Sequence, residues 1–394
     1  MNKNQMIDII RSKYPSDRKI RAILSRARGL RTMSTLMSEK DADEACGNPS
    51  RMRKAVKKAR IRFPKLFKKC EKNAKNILAG WPEDLSESHR KRLMLDMLFS
   101  RFAYGFQPDE YLFFDLENRG SEERKQFISD TERYYYVYRM NDLAGSRLFN
   151  NKGLTYERFH DYYKRDAVYI TGRADFEDYF NFVEEHPVFV RKNVFEGMGR
   201  SVELTDLSRE NLTPESVFED IVSHGPHLLE EKVVQSDEMA RFNESSVNTV
   251  RLITIKTREK IEIPYTFMKV GREGSFIDNG GAGGILVGID RETGITDTPG
   301  YDEWNICYNT HPDHGSPLTG VQLPDWEQAL EMCREMASAV SDVKYIGWDL
   351  AHTDNGWVLI EGNGMSQLVG PQIIYRKGIK KEFLGYMEKM DLIF

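Results

Sequence analysis

The sequence is poor in cysteine and has no long hydrophobic run. Its 394 residues include four cysteines, which lie far apart and form no C-x-x-C pair, and this excludes a disulfide scaffold. No segment approaches the roughly 18 consecutive apolar residues that a membrane-spanning helix needs, and the first residues contain no apolar signal core. With 40% hydrophobic and 30% charged residues, the composition is that of a folded globular protein. We therefore expect a reducing, cytoplasmic compartment.

Acidic residues are scarce near the N-terminus. Residues 1–75 hold 22 lysines and arginines against 7 aspartates and glutamates, a balance of +15, so residues 76–394 carry −19 of the total charge of −4. We favour a solvated basic surface, or one that docks on the acidic remainder. Peripheral contact with an anionic membrane, at its inner face, is the second interpretation. Nucleic acid is the third, because the segment has no zinc-finger, RNA-recognition or basic-zipper pattern.

Glycine and proline are also sparse up to residue 150. Apolar residues recur there at helical spacing, with a break near Pro64, and this predicts a helical N-terminal region over residues 1–150 that is basic in 1–75. After residue 150, short β-rich runs alternate irregularly with helical segments. This texture predicts an α+β domain rather than a regular parallel βαβ array.

A hairpin near the C-terminus carries the most informative residues. Two apolar strands flank residues 354–356, Asp-Asn-Gly, a strong turn signal. With these three residues as the loop, Asp349 lies opposite Glu361, and Asn363 lies on the same face. Carboxylate and amide oxygens are ligands that Mg²⁺ prefers, and two opposed carboxylates need a cation between them. A two-residue loop would separate the faces, and a surface hairpin with scattered acids is the alternative.

Two earlier segments could bind phosphate. Lys192 projects from a strand that leads into a loop containing Gly197 and Gly199, whose backbone N–H groups could cradle phosphates. An ordinary hairpin with a solvent-facing lysine is the alternative. Asn248 and Arg251 are predicted to lie in an apolar strand, where an arginine needs an anionic partner. That partner is either a phosphate or a structural carboxylate.

The residues alone leave the roles of two further features undecided. Nine of the 29 glycines fall between positions 271 and 300, including four at 280–284, and such clusters need a backbone reason. His311 and His314 follow Cys307 closely and could suggest zinc, but a fourth ligand is missing, so we favour a substrate-binding loop.

These segments, in this order, resemble the ATP-grasp superfamily and most closely its sugar-transfer-associated branch. The resemblance covers roughly residues 150–375, and the order and spacing of its motifs make chance unlikely. It is carried by residues 191–192 with their glycine loop, 229–235, 246–251, 278–284, 288–290, 347–349 and 360–363. It implies two α+β subdomains that clasp ATP, over residues 151–245 and 246–394, after the helical region.

The resemblance also assigns roles to individual residues. Lys192 and Lys152 would contact the ATP phosphates, and Arg251, with Lys192 and Asn248 in the catalytic set, would stabilise the transferring phosphate. The backbone of residues 280–284 would approach the phosphate or acyl group. The nucleotide-binding set further includes Gly197, Gly199, Glu230, Glu231, Val233, Gly283 and Gly284, where residues 230–233 form the adenine hinge. Asp349, Glu361 and Asn363 would hold two Mg²⁺ ions, with Mn²⁺ as an alternative.

The resemblance implies an ADP-forming carboxylate–amine ligase that works through an acyl phosphate. Its expected partners are a carboxylated sugar or surface-polysaccharide precursor and an amino acid or other amine. The alternatives are a ligase that makes a small peptide or natural-product amide, and a non-catalytic nucleotide- or nucleic-acid-binding protein. The presence of Lys192 and of all three metal-ligand candidates counts against a non-catalytic protein.

Overall fold

The computed structural model describes residues 37–142, 145–195, 202–209, 212–275 and 283–392. The predicted phosphate-binding Gly197 and Gly199, and the first part of the glycine cluster, lie outside the described residues. The helices are α1 (Glu39–Ala45), α2 (Pro49–Arg62), α3 (Pro64–Ala79), α4 (Glu87–Ala103), α5 (Pro108–Phe113), α6 (Ser121–Arg124), α7 (Asp130–Met140), α8 (Lys152–Tyr163), α9 (Phe176–Glu185), α10 (Pro214–Ser223), α11 (Asp237–Ala240), α12 (Trp326–Ser338), α13 (Val369–Ile374) and α14 (Lys380–Glu388). The strands are β1 (Ala167–Ile170), β2 (Val188–Asn193), β3 (Val202–Asp206), β4 (His227–Glu231), β5 (Thr249–Lys256), β6 (Ile261–Val270), β7 (Ile285–Ile289), β8 (Thr296–Tyr301), β9 (Cys307–Tyr308), β10 (Tyr345–Thr353) and β11 (Gly356–Asn363).

The chain divides into two compact units. The first comprises Met1–Arg139 with Gln367–Gly385, and the second comprises Met140–Ser366 with Tyr386–Phe394. Every element described in the first unit is helical, and all eleven strands lie in the second. The predicted α+β class is therefore confirmed, and so is the helical N-terminal region where the structure describes it. Residues 1–36 of that predicted region lie outside the described residues. The predicted boundaries at residues 150 and 245 stay a prediction.

In the first unit, local sequence signals set the helix ends. The Asn48 side chain accepts hydrogen bonds from the backbone N–H groups of Ser50 and Arg51 and so caps α2. Helix α2 ends at Arg62 and α3 begins at Pro64, because proline fits the first turn of a helix but not its interior. The predicted break is confirmed. The apolar stripe of α3 is buried, and Phe67 stacks on Phe102 of α4 with ring centroids 5.9 Å apart.

The second unit contains two antiparallel sheets. The four-stranded sheet has the order β1-β4-β2-β3, and the seven-stranded sheet has the order β11-β10-β5-β6-β7-β8-β9. Helices α9 and α10 pack on the smaller sheet through a cluster that includes Phe189, Tyr179 and Phe218. Helix α12 packs on the larger sheet, with Trp326 and Cys333 in the main core. Each sheet thus has one or more helices packed against it, and its strands carry predicted site residues.

None of the helices in the described ranges is long and apolar enough to cross a membrane.

Candidate active site

The hairpin of β10 and β11 places the two predicted metal-binding carboxylates opposite each other. Asp349 pairs with Glu361, as the sequence predicts. The turn has two residues rather than the predicted three, because Thr353 pairs with Gly356. An irregularity in the ladder leaves Ile360 as an extra residue in β11 and shifts the register by one. The predicted loop length was wrong, and the irregularity is the reason that the predicted pair still forms.

Asp349 is buried and held by two cations. Arg251 on β5 donates from Nε to Oδ1 and from Nη2 to Oδ2, the latter at 2.6 Å. The Lys269 Nζ on β6 lies 3.0 Å from Oδ2. Burial by itself would raise the pKa of Asp349, but the nearby Arg251 and Lys269 outweigh it and hold the pKa at about 2. The carboxylate is therefore ionised. It is the anionic partner that Arg251, an arginine in an apolar strand, was predicted to need.

The ion pair of Glu361 is more exposed to solvent than that of Asp349. Its Oε1 lies 3.1 Å from the Nζ of Lys152, the first residue of α8. The Asn151 side chain caps this helix by accepting from the N–H groups of Gly153 and Leu154, which fixes where Lys152 leaves the backbone. The Glu361 side chain is 38% exposed, against 6% for Asp349. Of the two opposed carboxylates, Glu361 is thus the one open to a ligand.

The lysine predicted to bind phosphate also has a carboxylate partner. Lys192 Nζ on β2 lies 2.8 Å from Oε1 of Glu230 on β4. Arg165 donates to the other oxygen, with its Nε 3.0 Å from Oε2. Burial raises the pKa of Glu230, but the two cations outweigh it and hold the pKa below its usual range. Burial also lowers the pKa of Lys192, against the opposing effect of Glu230.

Arg165 connects this group to the larger sheet. Its Nη1 donates to the carbonyl of Leu359 on β11 at 2.8 Å and to the carbonyl of Tyr163 at 3.1 Å. The guanidinium also lies over the Tyr163 ring, 4.6 Å from its centroid. Its side chain is only 5% exposed. One side chain therefore ties the end of α8, the smaller sheet and the larger sheet together.

The cluster around Asp349 and Glu361 and the cluster around Glu230 interact electrostatically. Burial and the charge of Arg165 lower the pKa of Lys192 overall, whereas the negative charges of Glu230 and Glu361 both act to raise it. The charge of Glu361 also contributes to the raised pKa of Arg251. The two clusters, from different sheets, therefore form one site.

Arg251 is further fixed by a close backbone approach. Its Nη1 donates to Ser366 Oγ at 2.9 Å. Gly347 lies beside this contact, and a Cβ there would come within 2.3 Å of Ser366 Oγ and 3.2 Å of Arg251 Cδ. Only glycine fits at position 347 without moving these side chains.

Asn248 lies just before β5, not within the strand as the sequence predicts. It is fully buried. Its Nδ2 donates to Gln235 Oε1 and to the carbonyls of Met239 and Asn243, at 2.8–3.0 Å. Asn248 therefore organises the segment between β4 and β5, and these side-chain hydrogen bonds go to that segment and not to the carboxylate groups.

The predicted adenine hinge spans the end of β4. The backbone of Glu230 lies between β1 and β2, which pair with it on either side, and the Glu231 N–H donates to the carbonyl of Asp166 at 2.9 Å. Val233 follows in the irregular segment after the strand.

Three further predicted residues lie on, or directly before, strands of the larger sheet. Asn363 is two residues from Glu361 on β11, and its Oδ1 accepts from the N–H of Met365 at 2.8 Å. Gly283, at φ 84°, and Gly284 come directly before β7. That strand pairs with β6, where Lys269 lies opposite Leu286.

Sequence reasoning missed Arg165 and Ser366 and gave no role to Lys269. A signal for Arg165 existed, because a glutamate in the apolar strand β4 needs a buried cation. The sequence could not say which of its 57 lysines and arginines supplies it. Ser366 gave no signal of its own, since it acts only through contacts made in three dimensions.

The zinc alternative finds no support in the described residues. His311 Nε2 lies 2.9 Å from the carbonyl of Gly271, and His314 Nε2 lies 3.3 Å from Asn243 Oδ1. The one group of three metal-ligating side chains found there is Asp166, Glu185 and His186, at the surface. Exposed acidic groups of this kind are common without a metal.

The site has the charge and donor chemistry for a metal-bound nucleotide. It combines five cations with three carboxylates, a net charge of +2, which suits a polyphosphate. The members are Lys152, Arg165, Lys192, Arg251 and Lys269, with Glu230, Asp349 and Glu361. Hard oxygen donors from Asp349, Glu361 and Asn363 fit Mg²⁺.

Two antiparallel sheets that bring these lysines and carboxylates together place the chain in the ATP-grasp class of ligases. The family model described as sugar-transfer associated ATP-grasp matches residues 192–388, half of the chain. The chain therefore belongs to the sugar-transfer associated ATP-grasp family, and the predicted resemblance is confirmed.

The chain is also similar to solved ATP-grasp structures at low identity. The ATP-grasp ligase PsnB, complexed with a phosphomimetic variant of its minimal precursor, Mg and ADP, is 12% identical; the match covers 66% of this chain and 67% of PsnB, with a TM-score of 0.40. The D-alanine–D-alanine ligase from Coxiella burnetii is 9% identical over 64% of this chain and 60% of its own, with a TM-score of 0.40. The N5-carboxyaminoimidazole synthase from Aspergillus clavatus, in complex with ADP, is 11% identical over 57% and 46%, with a TM-score of 0.36. No curated protein matches the chain.

Proposed function

We propose that the protein is an ADP-forming carboxylate–amine ligase. The γ-phosphoryl group of ATP moves to a carboxylate oxygen of the first substrate, so that the bond to the β-phosphate oxygen breaks and an acyl phosphate forms. An amine then attacks the acyl carbon, phosphate leaves with the bonding electrons, and the nitrogen loses a proton. The observation that carries the proposal is the pair Asp349 and Glu361, opposed across one hairpin and surrounded by cations from both sheets.

Phosphoryl transfer depends mainly on positioning and on neutralising charge. Lys192 and Lys152 supply positive charge toward the ATP phosphates. Arg251 and Lys269, held beside Asp349, supply it where the transferred phosphoryl group and the acyl carbon meet. Asp349, Glu361 and Asn363 would hold Mg²⁺, which neutralises phosphate charge when bound.

We assign the adenine hinge to the backbone of Lys232 and Val233. The backbone of Glu230 is paired with strands on both sides, and the Glu231 N–H is bonded to Asp166. The chain leaves the sheet after Glu231, so the next backbone groups are the first that can meet an adenine edge. The Glu230 side chain serves Lys192 instead.

We propose a carboxylated sugar as first substrate and an amino acid or other amine as second; the family's description as sugar-transfer associated supports the sugar. The test is a phosphate-release screen of uronic acids against amino acids, with nucleotide products separated by chromatography. We expect ADP and phosphate to appear only when both substrates are present. AMP and pyrophosphate as products would contradict the reaction type. Turnover with amino-acid pairs but with no uronic acid would contradict the substrate class.

A further inference from the structure

Helices α2 and α3 carry a strongly basic surface. Residues 51–75 contain twelve lysines and arginines and a single acidic residue, Glu71. All twelve are exposed. We call this set the basic face: Arg51, Arg53, Lys54, Lys57, Lys58, Arg60, Arg62, Lys65, Lys68, Lys69, Lys72 and Lys75.

The apolar stripe of the two helices fixes this face. Met52, Ala55 and Ala59 of α2, and Phe67 and Cys70 of α3, are buried. Because these positions recur every three or four residues, the lysines and arginines between them must point away from the core. The basic face is therefore a property of the folded unit and not only of the composition.

Most of these charges are available to a partner. Arg51 pairs with Glu44, and Arg60 and Arg62 lie over the rings of Phe67 and Phe63. Lys54, Lys57, Lys58, Lys65, Lys68 and Lys69 have no ion-pair partner among the described residues. Their mutual repulsion would be relieved by an anionic surface.

An exposed apolar side chain lies within the basic face. Ile61, near the end of α2, is 74% exposed. A large aliphatic side chain surrounded by cations is the combination that a bilayer surface accommodates, since the cations meet the headgroups and the apolar group enters the boundary with the acyl chains.

We propose that the basic face binds the surface of an anionic lipid bilayer, with Ile61 inserted at the headgroup level. Two aromatic residues at this face, Phe63 and Phe67, stack on Phe102, so they offer no platform for the bases of a single-stranded nucleic acid. Ile61 has no role in binding to a phosphate backbone. These two observations favour lipid over nucleic acid.

The first test is co-sedimentation of the full-length protein with vesicles, without nucleotide. We expect binding to vesicles that contain about one-third phosphatidylserine at about 0.05 M salt, and loss of that binding at about 0.5 M salt, because salt screens surface charge. We expect no binding to phosphatidylcholine vesicles. Failure to bind anionic vesicles at low salt would overturn the proposal.

The second test changes the charges in a matched way. The triple variant Lys54→Glu, Lys58→Glu and Lys65→Glu should weaken vesicle binding roughly hundredfold, at about fivefold per residue. The control reverses Arg291, Lys377 and Lys381, exposed residues outside the basic face, and changes the net charge by the same amount. Equal effects of the two triples would show a net-charge effect only and overturn the assignment to this face.

The third test separates lipid from nucleic acid and does not depend on the charge-reversed variant folding. Ile61→Ser should weaken vesicle binding about threefold to tenfold through the loss of apolar burial. Val234→Ser is the control, since that side chain is also 74% exposed and lies in the other unit. No effect of Ile61→Ser on vesicles, or tighter binding of the wild-type protein to duplex DNA or RNA than to vesicles at equal salt, would overturn the proposal.

Discussion

The two buried carboxylates of the site, Asp349 and Glu230, are held by the same kinds of partner. Each receives hydrogen bonds from an arginine and lies 3.0 Å or less from a lysine Nζ on another strand of the same sheet. Each is almost inaccessible to solvent. In each, the cations hold the pKa of the carboxyl group below its usual range, although burial acts in the opposite direction.

The two groups differ in their surroundings. Asp349 faces a second carboxylate, the 38%-exposed Glu361, across the hairpin. The ion-pair partners of Glu230 among the described residues are Lys192 and Arg165, and the Arg165 guanidinium is bonded to two backbone carbonyls as well. The same kind of ion pair therefore forms a solvent-accessible site in the larger sheet. In the smaller sheet it forms a buried pair that holds Lys192 in place. The comparison makes separable predictions for catalysis and for stability.

We expect the largest effect on turnover, when Glu361, the more exposed carboxylate, loses its charge. Glu361→Gln should lower kcat roughly a thousandfold or more, because one charged oxygen for the metal disappears. The measurement is phosphate release with the substrates found in the screen. Glu331→Gln, an exposed residue of α12, serves as the control and should leave kcat unchanged. Near-normal turnover of Glu361→Gln would remove it from the metal site.

We expect the next largest effect on stability, when Glu230, the buried carboxylate of the smaller sheet, loses its charge. Glu230→Gln leaves Arg165 and Lys192 buried without a counter-charge, so we expect the free energy of unfolding to fall by about 3–5 kcal/mol. Asp349→Asn should cost less, about 1–3 kcal/mol, because Glu361 still acts on Arg251. Urea titration monitored by tryptophan fluorescence measures both. Equal losses of unfolding free energy in the two variants would contradict the difference drawn between the Glu230 cluster and the Asp349 cluster.

A smaller effect should distinguish Arg165 as a positioning residue. Arg165→Lys keeps a positive charge near Glu230 but cannot contact the carboxylate and the Leu359 carbonyl together. We expect about 1–3 kcal/mol of lost stability and a weaker affinity for ATP, with the pH dependence of turnover unchanged. A shifted pH profile would instead show that Arg165 acts on a titrating group.

Asp349 also predicts a pH dependence of stability. Its pKa is lowered from 3.8 to about 2 in the folded protein, so its contribution is present above pH 4 and is lost as the pH falls from about 4 to about 2. The size is on the order of 2 kcal/mol. Acid titrations of the wild type and of Asp349→Asn should therefore differ in slope over this interval. Parallel curves would contradict the lowered pKa.

The smallest effect should come from an exposed ion pair. Arg173 and Glu219 pair with side chains 71% and 51% exposed, and surface pairs contribute little because water screens them. Glu219→Gln should change the free energy of unfolding by less than about 0.5 kcal/mol. A loss comparable to that of Glu230→Gln would mean that burial is not what separates the two kinds of pair.

Local patterns in the sequence were sufficient for much of the fold. The helix break at Pro64 follows from proline chemistry, and the helical N-terminal region and mixed second half follow from periodicity and glycine content. The opposition of Asp349 and Glu361 was predicted correctly from an incorrect loop length. The turn has two residues, and the extra residue Ile360 corrects the register, which alternation along a strand cannot reveal.

The sequence by itself determined that Glu230 and Arg251, each set in an apolar strand, need partners of opposite charge, because an unpaired buried charge is too costly. It also placed Asp349 and Glu361 in one hairpin, since a hairpin is a local structure, but their direct opposition depends on the extra residue Ile360. Only the tertiary structure decided that Glu230 is paired with Lys192 and Arg165, and Arg251 with Asp349. These partners are far apart in the chain, and they meet because the strand order of each sheet, which no local pattern encodes, places β2 beside β4 and β5 beside β10.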